Sequence, residues 1–114
     1  MTVKIYGIKN CNTMQKAFKA LDEKGISYTF HDYKKLGIDA ETLHKWCAEW
    51  GFEKLINKSG LTWKKLDDAT KLSVKDEPSA MTLMMQHTSM IKRPIIDTGK
   101  TLILGLDEVA IQKL

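Results

Sequence analysis

The sequence predicts a mixed α/β fold: a strand, loop, helix and second strand first, a helical middle next, and a strand pair with a closing helix last. Three observations carry this. β-forming residues fill positions 3–6 and stop at Gly7, apolar residues keep helical spacing after the first loop and through the middle, and two short β runs flank a polar turn near the end. With 114 residues, 43% of them hydrophobic, residues 1–114 hold enough apolar side chain for one core and are expected to form a single domain.

Taken in order, residues 3–6 form a strand that Gly7 terminates. Positions 10–13 carry cap-type side chains, after which Ala17, Ala20, Leu21 and Lys24 follow helical spacing until Gly25. Residues 26–33 hold Tyr28, Phe30 and His31 in a β-rich stretch. With a helix as the crossover, this second strand runs parallel to the first and closes a βαβ unit. Asp39 caps a helix over about residues 40–50, in which Leu43, Trp46, Cys47 and Trp50 share one face and Gly51 is the stop. Across residues 52–90 the spacing of Leu55, Ile56, Leu61, Trp63, Leu66, Leu83 and Met84, broken by Gly60 and Pro78, predicts two or three short helices. Residues 94–96 and 101–104 read as a hairpin around a polar turn. Asp107 opens a last helix carrying Val109, Ala110 and Leu114. No repeat or low-complexity stretch occurs.

Composition narrows the function classes. The net charge of +4 comes from Lys and Arg interleaved with Asp and Glu, which describes a solvated face, so nucleic acid is not an expected partner. The first residues show no basic-then-apolar leader, and no apolar run approaches the roughly 18 residues of a membrane span. A cytoplasmic protein away from the membrane is expected. Cys11 and Cys47 lie far apart, so reduced thiols are expected instead of a disulfide framework.

Cys11 stands where the first strand gives way to a helix N-terminus, which is where reactive groups collect in open α/β sheets. The nucleophilic form of cysteine is the thiolate, and free N–H groups at a helix start stabilise it. Asn12, Thr13 and Met14 supply such donors, and the Thr13 hydroxyl could add one more. Lys9, Asn10, Asn12 and Thr13 give Cys11 a polar, accessible setting that suits a substrate site. Arg93, just before the β run that Pro94 opens, can stabilise the thiolate and hold an anionic group. A cis bond before Pro94 would account for that proline, although proline is tolerated at a first strand position in either isomer. Cys47, on an apolar helix face, reads as core. His31, His44 and His87 have no metal-ligand spacing with the cysteines, so no metal site is assigned. The Met81, Met84, Met85 and Met90 group and the three tryptophans read as packing.

Tyr6-Gly7-Ile8-Lys9-Asn10-Cys11, His31-Asp32-Tyr33, Thr62-Trp63-Lys64-Lys65-Leu66 and Ile91-Lys92-Arg93-Pro94 resemble the arsenate reductase (ArsC)/Spx family, and within it the YffB-like branch. The resemblance spans nearly the whole chain. It implies a thioredoxin-like fold of glutaredoxin type, βαβ plus ββα, with a helical insertion at about residues 40–90, a cis bond at Pro94 and Cys11 as catalytic thiol. It also implies a glutathione-dependent thiol reductase with no bound cofactor, glutathione as co-substrate and glutaredoxin as a further partner. Two alternatives come with it: an arsenate reductase-like enzyme, and a non-enzymatic Spx-like regulator that binds the RNA polymerase α subunit. Arsenate reductases of this type place three arginines around the cysteine. Arg93 matches the middle one, the first falls at residues 57–59, where Lys58 is the only cation, and the last falls near Gly105. The C-x-x-C switch of many Spx proteins is here Cys11-Asn12-Thr13-Met14, so the chain reads as monothiol.

Overall fold

In a computed structural model the described residues are 2–114. They divide into two compact units, one made of the residues up to Leu36 together with Arg93–Leu114, the other of Gly37–Lys92.

In the first unit, β1 (Val3–Gly7) leads into α1 (Asn12–Glu23) and then β2 (Tyr28–Asp32). β3 (Ile95–Asp97) and β4 (Leu102–Leu104) complete a four-stranded sheet of order β2-β1-β3-β4. β1 pairs parallel with β2, Ile5 opposite Phe30, and antiparallel with β3, Ile5 opposite Ile96. The predicted βαβ unit and hairpin are both present. The closing helix is also there, running Glu108–Gln112, with the Asp107 carboxylate accepting the Ala110 N–H at 3.0 Å. Val3, Ile5, Met14, Ala17, Leu21, Ile96, Ile103 and Ile111 form one buried cluster. Each large aliphatic side chain so removed from water contributes about 1.5–3 kcal/mol, which fixes the register of sheet against helix.

The second strand is shorter than residues 26–33. The Asp32 carboxylate accepts the Lys34 N–H at 2.9 Å, and this turn ends the strand and starts a short helix, α2 (Tyr33–Leu36). Tyr33 is therefore helical. The cap-type side chains at positions 10–13 also do not cap: Cys11 itself is the N-cap residue of α1, in extended conformation, with no side-chain cap hydrogen bond.

In the second unit, α3 (Ala40–Trp50) begins at the Asp39 cap, whose carboxylate accepts the Thr42 N–H at 2.7 Å, and buries Leu43, Trp46 and Cys47. Four helices follow where two or three were expected: α4 (Phe52–Leu55), α5 (Leu61–Lys64), α6 (Asp68–Leu72) and α7 (Glu77–Gln86), then a 3₁₀ turn at Thr88–Met90. The miss has a physical cause. α6 buries no residue, so apolar spacing could not reveal it, and its start is set by the Asp67 carboxylate accepting the Thr70 N–H. Pro78, read as a breaker, lies in the first turn of α7 beside a capping box between Asp76 and Ser79, where its missing N–H costs nothing. Ile56 bridges Ile91 in antiparallel fashion, and the Lys92 N–H donates to the Leu55 carbonyl at 2.8 Å.

Candidate active site

The site is assembled by the sheet. β1 ends at Gly7, the loop that follows carries Lys9 and Asn10, and Cys11 turns the chain into α1 with φ −140° and ψ 129°. Because β3 pairs with β1 through Ile95 opposite Tyr6, the Arg93-Pro94 step, which is cis, arrives beside that loop. Pro94 is buried, and its carbonyl accepts the Gly105 N–H at 2.7 Å, which fastens the step to the end of β4.

Gly7 permits a close approach between strand and helix. A side chain there would overlap the sulfur of Met14, which is fully buried under the strand end. Met14 thereby fixes the first turn of α1, and the N–H groups of that turn face the Cys11 sulfur.

Partial burial pushes the Cys11 thiol up, but hydrogen bonds from the Met14 N–H, the Arg93 guanidinium and the Thr13 N–H, together with the Arg93 charge, outweigh it. The net effect is a thiol held below its ordinary value. Arg93 is the only arginine in the chain, the other 17 basic residues being lysines, and it stands at the one thiol that can use it. Thr13 contributes its backbone N–H, whereas Asn12 is exposed and is not one of the groups holding the thiolate. Lys9 and Asn10 are exposed in the loop, and the Lys9 carbonyl accepts from Gln15 Nε2 at 3.0 Å. Lys58 belongs to the Gly37–Lys92 unit, where its ammonium lies 5.5 Å from the Trp63 ring.

Sequence reasoning assigned no role to Tyr33. It is 1% exposed, its hydroxyl has no hydrogen-bond partner among the described residues, and its ring meets His31 edge-on at 6.3 Å. Burial, then the neighbouring Tyr6 phenol, drive its pKa far up, with Arg93 opposing, so it carries its proton at every physiological pH. His31 itself lies on the sheet, its ring 4.9 Å from that of Tyr6. The motif His31-Asp32-Tyr33 pointed at this place in the chain, but burial of the phenol depends on the fold.

Cys47 is buried in α3, and burial, with the nearby charge of Glu77, pushes its thiol up to about 11. The two cysteines should therefore separate cleanly. At pH 7.5, iodoacetamide is expected to alkylate Cys11 at least about a hundredfold faster than Cys47, because only thiolate reacts. Peptide mass mapping over time would show it, and comparable labelling of both would overturn the contrast. Among the described residues no three His, Cys, Asp or Glu side chains gather as metal ligands, and no helix is long and apolar enough to cross a membrane.

The model of the ArsC family matches residues 6–114. An uncharacterized protein of Haemophilus influenzae is 39% identical over 107 residues, covering 93% of this chain and 92% of its own. The solved YFFB (PA3664) protein is 45% identical with a TM-score of 0.92, over 97% of this chain and 96% of that one. The solution structure of an arsenate reductase (ArsC) related protein from Brucella melitensis is 44% identical with a TM-score of 0.76, over 99% and 93%.

Proposed function

The chain belongs to the ArsC family, and on that premise we propose that it is a glutathione-dependent thiol reductase in which Cys11 acts as a lone nucleophile. One observation carries the reading: the single arginine and two backbone N–H groups converge on the Cys11 sulfur and favour its thiolate. The thiolate attacks one sulfur of a disulfide. A bond forms between Cys11 and that sulfur, the original S–S bond breaks, and the departing sulfur leaves with the electron pair as a thiolate. A glutathione thiolate then attacks the mixed disulfide, and Cys11 departs as the thiolate that the helix start and Arg93 stabilise. Met14 stands where a resolving cysteine would be, so the second thiol comes from solution, and no resident cofactor is needed. Lys9, Asn10, Asn12 and Thr13 rim the reacting sulfur, and Pro94 shapes the opposite side.

The test is incubation of the reduced protein with glutathione disulfide, followed by intact mass and then by reduction with excess glutathione, with Cys11→Ser as blank. One glutathione added per chain, lost on reduction and absent from the blank, is the expected result. No adduct, together with an ordinary thiol titration, would remove the enzymatic reading and turn attention to the RNA polymerase α subunit as a binding partner.

A second reading is arsenate reduction with glutathione and glutaredoxin, favoured by the kinship with the Brucella melitensis protein. With Arg93 as the chain's only guanidinium, three arginines cannot surround the oxyanion, and an ammonium such as Lys58 lacks the bidentate fork. Arsenate-dependent turnover is therefore expected to stay at background in a glutathione- and glutaredoxin-coupled assay. Saturable turnover that disappears in Cys11→Ser would reverse that expectation.

A further inference from the structure

A groove of about 460 Å³ opens beside the Cys11 loop, on the side away from Pro94, at the carboxyl end of β2. β2 is an edge strand, and its alternate residues Tyr28, Phe30 and Asp32 share the face that lines the groove. Phe18 of α1 makes the wall, stacked on Tyr28 at 5.5 Å and edge-on to Phe30 at 5.2 Å. Lys9 and Lys35 add two exposed ammonium groups to the lining, and Leu36 leaves 66% of its surface in water.

The groove is tied to the nucleophile through backbone. Gln15, which lines it, donates its side-chain N–H to the Lys9 carbonyl and its backbone N–H to the Cys11 carbonyl, each at 3.0 Å. A group that enters the groove is thus held by the same loop and helical turn that hold the sulfur. Its chemistry is mixed: an aromatic wall, two cations, and the one carboxylate of Asp32, which already accepts the Lys34 N–H. That lining complements a small group with net negative charge, some apolar surface and one ammonium, and the volume is in the range of sites that hold small molecules.

We propose that this groove binds the peptidic, net-anionic substituent of the disulfide that Cys11 attacks, making Lys35 a specificity-determining residue for the sulfur substrate. The inference rests on the disulfide chemistry proposed above.

The experiment compares rates of adduct formation at Cys11 with three disulfides: glutathione disulfide, which is net anionic, hydroxyethyl disulfide, which is neutral, and cystamine, which is cationic. It uses the full chain and two charge-reversal variants, Lys35→Glu and Lys100→Glu. Lys100 lies in the β3–β4 turn, at the end of the sheet opposite Cys11, because β3 runs antiparallel to β1. The two variants have equal net charge and differ in where it was changed. Lys35→Glu is expected to slow glutathione disulfide about fivefold and to speed cystamine, with hydroxyethyl disulfide unchanged, while Lys100→Glu leaves the ratios as they were. Equal ratios in the two variants would sink the groove as a subsite while leaving the thiol chemistry intact. Failure of all three disulfides to react at Cys11 would remove the proposed function and the subsite with it.

Discussion

In Arg93→Ala, the reaction of Cys11 with a neutral disulfide is expected to slow about three- to tenfold at pH 7 and to become faster than in the parent protein once the pH exceeds the thiol titrations of both. The two halves of this result have one cause. Arg93 holds the thiolate through a hydrogen bond and through its charge, so its loss lets partial burial push the thiol back up and leaves less thiolate at neutral pH. A more basic thiolate is intrinsically a better nucleophile, with a Brønsted coefficient of about 0.4–0.5, so part of the loss is returned per thiolate. Above both titrations only that second effect survives, and the order inverts. In the parent, the rate should rise with pH through the lowered thiol value and then level off; in the variant the same rise moves to higher pH. A stopped-flow pH profile with hydroxyethyl disulfide would show the crossing. Parallel profiles that never cross would mean that Arg93 acts on the substrate alone. Arg93→Lys keeps the charge but not the planar fork and should fall between the two.

Gly7→Ala is expected to lose about 1–3 kcal/mol of stability, since a methyl group at that position overlaps the end of the Met14 side chain, which is fully buried and must repack to make room. For a chain of this length that corresponds to a fall in Tm of roughly 4–12 °C. Thermal denaturation by circular dichroism reads it directly. Gly7→Ala combined with Met14→Ala should cost less than the sum of the two single changes, because the second change empties the space that the first one needs. A Tm within about 1 °C of the parent for Gly7→Ala would show that the contact is not tight. The same variant carries a prediction for the site. Met14 donates its N–H to the Cys11 sulfur, so displacing it should also slow alkylation of Cys11 at neutral pH.

The glycine and the arginine differ in how far the sequence alone revealed them. Gly7 was readable as the end of a strand, but its contact with Met14 exists only once α1 lies across β1, and no spacing rule reports that. Arg93 was readable as a cation before a strand. What delivers it to the thiol is the antiparallel pairing of β3 with β1, an interaction between distant parts of the chain.

Local chemistry determined the rest of what the sequence showed: β-formers against helical spacing, the Asp39 and Asp107 caps, the strand-to-helix junction at Cys11, the apolar face holding Cys47. These are short-range properties, legible because backbone propensity and side-chain period act within a few residues. Tertiary structure alone decided the burial of Tyr33 and the groove between α1 and β2. Each of these depends on which distant side chains exclude water from a given place. Desolvation and convergent hydrogen bonds, the two influences that oppose each other on the Cys11 thiol, arise only when the chain has folded.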